Sequence, residues 1–324
     1  MLDKDILFSL RSFNDKLKSE AFNLFNTDLV RNRLTAKGQF KKAVKSSPEN
    51  MKVLTKGRSI TAVDGSRLEY GSFYPYHLAF LRTLAGTTGK EDIMDSQVLT
   101  PLNPEVQGLV ENLASKNKIS NDEALKIYLK RALAQMELKT ALEAVKKYRP
   151  FMLMLDGGFL LFDRFPEWQL LCAECLENET ILVGVIEEIA TAEIAPMIDI
   201  EAIGRPRIYD REILFGLFDK GEYLHFDPGY KIKKDYSTVF ARLSTSPQAI
   251  AVDFLAEQEA DIEKAINFLF TLTPANGQGI PSWLQLIDAQ VRLRKKEIDR
   301  LLYTCIDADL IEKYFIPNRE RRIY

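Results

Sequence analysis

The chain has 324 residues, 46% of them hydrophobic and 28% charged, with a formal net charge of −2. Such a length and mix support a large folded core and exclude a disordered chain, and the near-neutral balance excludes whole-protein attraction to nucleic acid. No apolar run approaches the ~18 residues of a membrane span, and the acidic start Met1-Leu2-Asp3-Lys4-Asp5 has no secretory apolar stretch, so no membrane association and a cytoplasmic setting are expected.

In chain order, residues 3–47 read as helical and amphipathic, and a strand ends at Val63. Residues 72–86 are dense in aromatics and read as a strand of a hairpin or meander. Residues 90–104, with Pro101 and Pro104, read as a polar linker. A long helix follows from about Asn121, a good N-cap, to Tyr148, with Pro150 as its stop. Strands are expected at 151–155 and 180–186, with a helix near 166–177 between them. A short helix at 210–219, strands at 222–227, 236–243 and 249–254, and helices at 257–271 and 282–303 complete the reading. The expected organisation is an N-terminal helical segment (1–55), a main domain (56–304) and a C-terminal tail (305–324). The mixed order of strands and helices points to an α/β layer fold with one mixed sheet.

Two short apolar runs end in a carboxylate followed by glycine: Ile60-Thr61-Ala62-Val63 before Asp64-Gly65-Ser66, and Phe151 to Leu155 before Asp156-Gly157-Gly158. Glycine lets a backbone or ligand come close at such a point. Two acids on rigid strands that can meet in space are what a divalent-metal site for phosphate chemistry needs. Asp-Gly is also a common turn signal, so two ordinary strand-to-turn junctions remain an equal alternative.

The long helix offers two further acids. Glu143 has Lys139, Lys146 and Lys147 at helical contact spacing and reads as a solvated ion-pair position. Glu137 has Leu133, Ala134, Thr140 and Ala141 there, an environment that is costly for a carboxylate unless it is paired or metal-bound; a glutamate reaching out to water is the alternative. Asp288 interrupts the apolar stripe Leu284–Val291 in the helix after Gly279-Ile280-Pro281, and an ion pair with Arg292 is its plain alternative. Bases crowd residues 28–58, 231–234, 292–296 and 319–322, a segregation that can build a local phosphate track. Arg67 and Arg131, close in sequence to Asp64 and Glu137, are candidates for the phosphate nearest those acids, and Arg292, Arg294 and Lys295 for the track. Cys172 and Cys175 have CxxC spacing within a helical run and no second pair, so they read as packing thiols. His77 and His225 have no partner at ligand spacing. No phosphate-cradling GxxxxGK[ST] loop, GxGxxG fingerprint or Ser-His-Asp set is present.

Ala62-Val63-Asp64-Gly65-Ser66, the helical Met136-Glu137-Leu138, Leu155-Asp156-Gly157-Gly158 and the late Gly279-Ile280-Pro281 to Asp288 together resemble the NurA nucleases over about residues 55–300. The resemblance implies a ribonuclease H-like mixed sheet flanked by helices and a manganese-dependent site (or a magnesium one) on Asp64, Glu137 and Asp156, completed by Asp288. It implies DNA as substrate, 5′–3′ exonuclease and endonuclease chemistry in DNA-end resection and double-strand break repair, a HerA-type hexameric ATPase as partner, and a homodimer. The chain departs from the family's usual residues at Ile280 (Tyr), Asp288 (His), Glu187-Glu188 (Lys) and Gly158 (Ser). Two other readings stay open: a NurA-like subunit that binds DNA or an ATPase without cleaving, and an actin- or sugar-kinase-like phosphotransferase, for which no adenosine motif is evident.

Overall fold

A computed structural model describes residues 4–22, 27–200 and 207–315. The elements run α1 (Lys4–Phe22), α2 (Thr27–Thr35), β1 (Gly38–Lys42), α3 (Pro48–Leu54), β2 (Ile60–Phe73), β3 (Tyr76–Thr87), β4 (Ile93–Leu99), α4 (Pro104–Asn117), α5 (Asn121–Tyr148), β5 (Met152–Asp156), α6 (Pro166–Glu177) and β6 (Ile181–Ile186). They continue as α7 (Ile194–Met197), α8 (Asp210–Leu214), β7 (Glu222–Phe226), β8 (Tyr236–Ala241), β9 (Ile250–Leu255), α9 (Ile262–Leu272), α10 (Ser282–Val291), α11 (Lys295–Cys305) and α12 (Ala308–Tyr314).

Among the described residues, nine strands join one sheet in the order β1-β7-β8-β9-β6-β5-β2-β3-β4. The strands β2, β3 and β4 form an antiparallel meander, and β5 and β6 lie parallel to β2 beyond it. An antiparallel meander joined through its first strand to two parallel strands is the ribonuclease H-like arrangement, so the expected fold class is the one observed. Parallel strands need covered faces. One face is packed by α9 and α10 through Ile262, Ile266, Leu284 and Ile287. The other is packed by α5 and α6 through Ala134, Leu138, Ala141, Trp168 and Leu171. Cys175 and Cys172 belong to that second core, and burial pushes the Cys172 thiol up to about 12.

Several elements differ from the sequence reading. Residues 3–47 are not one helix, because Gly38–Lys42 pairs antiparallel with β7 as an edge strand. Tertiary pairing there overrides a locally helical pattern. The supposed linker 90–104 contains β4, whose polar residues reflect an edge strand with only Ile93 fully buried. Helix α4 was not anticipated, although Asn103 caps it by accepting from the Glu105 N–H at 2.9 Å and Pro104 opens it. Helix α5 is capped one residue earlier than expected, by Ser120 in a reciprocal box with Glu123. The run 282–303 breaks at Arg292–Arg294, where the Leu293 N–H leaves the helical ladder for the Ser66 hydroxyl at 3.0 Å. The tail carries α12; the basic cluster at 319–322 lies outside the described residues.

Candidate metal centre

Strand β2 does not end at Asp64. It runs on to Phe73 against β3, and only its parallel pairing with β5 stops, at Val63–Leu155. Asp156 closes β5 one residue later. The sheet therefore forks between the two strands, and Asp64 sits in the fork at 8% exposure. Ligand sites in such sheets form where parallel strands end at their carboxyl edge. Here β2, β5 and β6 present Asp64, Asp156 and Glu187 there in succession.

Three glycines make the fork possible. Gly157 has φ +117°, and its N–H donates to Val185 O at 2.8 Å, turning the chain away after Asp156. A methyl on Gly184 of β6 would come within 2.6 Å of Gly157 O. Gly65 matters most: a methyl there would overlap Glu137 Oε1 and meet Leu133 Cδ1 at 2.9 Å. The glycine after Asp64 is the space into which α5 delivers Glu137. That carboxylate is 8% exposed, and among the described residues it has no hydrogen bond or ion pair. Glu143, six residues on, is exposed.

The turn after Asp156 is held from below. Asp253 on β9 is fully buried and accepts from the Phe159 N–H at 3.0 Å, the Thr238 hydroxyl at 2.8 Å, and Lys233 Nζ. A methyl on Gly158 would lie 3.0 Å from Lys233 Nζ and 3.1 Å from Asp253 Oδ2. Glycine in place of a family serine is thus matched to the buried ion pair beneath it.

Helix α10 brings the fourth acid. Trp283 Nε1 donates to Gly86 O at 2.9 Å, and Ile287 fills the space where a Gly86 side chain would stand. Anchored so closely on β3, α10 directs Asp288 into an open cleft of about 490 Å³ with Asp156, Glu187, Gln278, Gln285 and Arg292 on its walls. Asp288 also pairs with Arg292 at 2.9 Å, the plain alternative that the sequence offered.

The electrostatics join the acids into one cluster. Burial first, and Asp156 second, push the Asp64 carboxyl up to about 7, with Asp288 adding to the rise; the Gly65 N–H at 2.7 Å and Arg292 oppose it. Burial, then Asp288 and Glu187, push Asp156 up to about 6. Cleft water reaches Asp156, but the walls around it remove much of its hydration. Burial, then Asp64 and Asp156, hold Glu137 well above the usual carboxylate range. Among the described residues, no three His, Cys, Asp or Glu side chains are gathered closely enough to hold an ion as they stand. The acids nonetheless feel one another's fields: Asp64 and Asp156 act on Glu137, Asp156 and Asp288 on Asp64, and Asp288 and Glu187 on Asp156. Their oxygens are hard donors from four separate elements, and among the described residues the Glu137 carboxylate lacks any partner, so the donor set fits a hard divalent cation.

The candidate phosphate contacts are scattered. Arg67 lies on the α5 side of β2, paired with Glu69 at 2.9 Å, and Arg131 is exposed on α5. Arg294 faces Glu297 at 3.8 Å, and Lys295 is exposed at the start of α11. Much of the basic stretch 28–58 is occupied in holding the fold: Arg31 pairs with Glu222, and Arg33 and Arg58 bind main-chain carbonyls. It does not form a track to the acids. Glu187 was visible in sequence as a third apolar run ending in an acid, but only the parallel pairing of β5 and β6 places it beside Asp156.

Fold and site together define a ribonuclease H-like protein with a carboxylate cluster at the fork of its sheet. Residues 58–293 match the NurA domain family, and the chain belongs to that family. The NurA nuclease of Sulfolobus solfataricus superposes with a TM-score of 0.56 over 95% of this chain and 99% of that one, at 12% identity. Human ENDOV matches at a TM-score of 0.41 and 14% identity over 83% of this chain and 95% of that one. No curated protein sequence matches the chain. Among the described residues, no helix is long and apolar enough to cross a membrane.

Proposed function

We propose that the protein is a divalent-metal-dependent DNA nuclease that hydrolyses phosphodiester bonds at the fork between β2 and β5. The observation that carries this reading is Glu137: a buried carboxylate with no partner, seated against a glycine and facing two further acids whose protons are held abnormally tightly. A cluster that costs the fold stability has a reason to exist if cations are its ordinary occupants. Asp64, Glu137 and Asp156 would hold the ions, with Asp288 completing the set. Manganese or magnesium so held supplies Lewis-acid polarisation of the phosphodiester and a lowered pKa for attacking water.

The protein's own groups do the rest. Asp64 and Glu137, with their raised proton affinity, bind cations in competition with protons. Gly65 leaves the space that Glu137 occupies, and Gly157 lets the chain turn away after Asp156. The Lys233–Asp253 pair fixes the turn that carries Asp156. Membership of the family supports a nuclease; a HerA-type hexameric ATPase as partner, a homodimeric state and a role in double-strand break end resection belong to the same proposal.

The test is cleavage of labelled linear and nicked DNA with Mn²⁺, with Mg²⁺ and with chelator. Metal-dependent loss of substrate that disappears in Asp64→Asn and Asp156→Asn supports the reading. DNA binding without cleavage under any divalent ion would leave the protein as a non-catalytic subunit.

A further inference from the structure

Resting on the reading of this site as a DNA nuclease, we propose that Arg82 binds the DNA phosphate next to the one that is cleaved. Arg82 lies on β3, and its cross-strand partners are Ser66 on β2 and Ser96 on β4. The preceding pair on the same sheet face is Asp64–Leu84. Arg82 is thus the diagonal cross-strand neighbour of Asp64 on that face, about 7–8 Å away. That is the scale of one nucleotide step from the acid in the fork.

The surroundings of Arg82 are defined on both sides. Leu84 shares a core cluster with Ile287 of α10, and Phe80 shares another with Leu293 in the break and Ile298 of α11. Arg82 therefore comes to the surface where the helical layer is interrupted, at Arg292–Arg294. The Leu293 N–H is already satisfied by Ser66 Oγ at 3.0 Å, so the break is a built feature. Side chains above the break, Arg292 and Arg294, are exposed and cationic.

Arg82 is half-buried, its Nε is buried with no hydrogen-bond partner, and among the described residues its guanidinium makes no ion pair or hydrogen bond. The other inward arginines contrast with it: Arg58 is bound to four main-chain carbonyls and Arg242 to three. A buried donor without an acceptor is costly and calls for a missing partner. A guanidinium fork matches a phosphodiester's paired oxygens.

The test measures DNA binding apart from cleavage. A labelled duplex with a single-stranded tail is titrated in chelator by fluorescence anisotropy at several salt concentrations, with parent, Arg82→Gln and Arg82→Lys. Arg82→Gln should weaken binding roughly 5- to 10-fold and lower the log–log salt slope by about 1, because one phosphate fewer is neutralised. Arg82→Lys should restore the slope and part of the affinity. Because the guanidinium makes no hydrogen bond or ion pair within the described residues, Arg82→Gln should keep the parent's Tm, which a structural arginine would not. Unchanged affinity and slope in Arg82→Gln, a fall in Tm that accounts for the weaker binding, or a parent that binds no DNA would overturn the proposal. Arg82-dependent binding in a parent that never cleaves would sink the nuclease reading and keep Arg82 only as a phosphate contact beside the acids. Normal cleavage with Arg82-independent binding would do the reverse.

Discussion

Asp64→Asn is expected to stabilise the metal-free protein while removing its response to metal. Folding raises the Asp64 carboxyl from 3.8 to about 7, chiefly by burial and by Asp156. The sign follows from linkage. Between those two values the unfolded chain has released its proton while the folded one keeps it, so stability falls as pH rises through that window. Three units at 1.36 kcal/mol each set an upper bound of about 4 kcal/mol on the penalty at neutral pH. Asparagine keeps the shape and can still accept the Gly65 N–H, so it should recover about half of that bound. For a chain of this size each kcal/mol moves Tm by roughly 2–4 °C, giving an expected rise on the order of 4–8 °C at pH 7.5 and little change at pH 4. Mn²⁺ at 100 times its Kd should stabilise the parent by about 2.7 kcal/mol and the variant far less. Thermal unfolding followed by circular dichroism, with chelator and with Mn²⁺ across pH 4–8, reads all of this. A parent whose metal-free Tm is flat from pH 4 to 7.5, or equal Mn²⁺ shifts in both proteins, would refute the reasoning.

Gly65→Ala should abolish Mn²⁺-dependent cleavage without altering an acid, because the methyl occupies the place of Glu137 Oε1; a variant with parental activity and Mn²⁺ affinity would remove Glu137 from the site. Glu137→Gln should lose at least 100-fold in cleavage rate, on the scale of a lost metal ligand or its support, while Glu143→Gln, exposed on α5, should cleave as the parent does; equal losses in a gel assay would contradict that division. Asp288→Ala should lose most activity and Asp288→His should retain much of it if the residue serves the metals, whereas parental activity in Asp288→Ala would reduce it to a surface pair with Arg292 worth at most ~1 kcal/mol. Asp253→Ala strands Lys233 in the core and should cost about 3–5 kcal/mol in chemical denaturation, since an uncompensated buried charge is left behind.

The candidate acids were legible in the sequence because each stands out against a local pattern. Asp64 and Asp156 terminate apolar runs, Glu137 sits among small and apolar helical neighbours, and Asp288 breaks a stripe. The core helices α5, α6 and α10 and the parallel strands were legible for the same reason: burial on a regular element imposes a period that the chain itself displays. Local pattern could not reveal that β2 continues past Asp64, since its far half is written by pairing with β3. Nor could it reveal β1, an edge strand whose partner β7 lies far along the chain, or β4, a polar edge strand paired only with β3. The fork, the fit of Gly65 to Glu137, the neighbourhood of Glu187 and Asp156, and the unpartnered Arg82 were all decided by tertiary structure. Each depends on two segments meeting at a distance set by neither alone. The sequence determined which side chains are out of place in water or in a core; only the folded sheet determined which of them face one another.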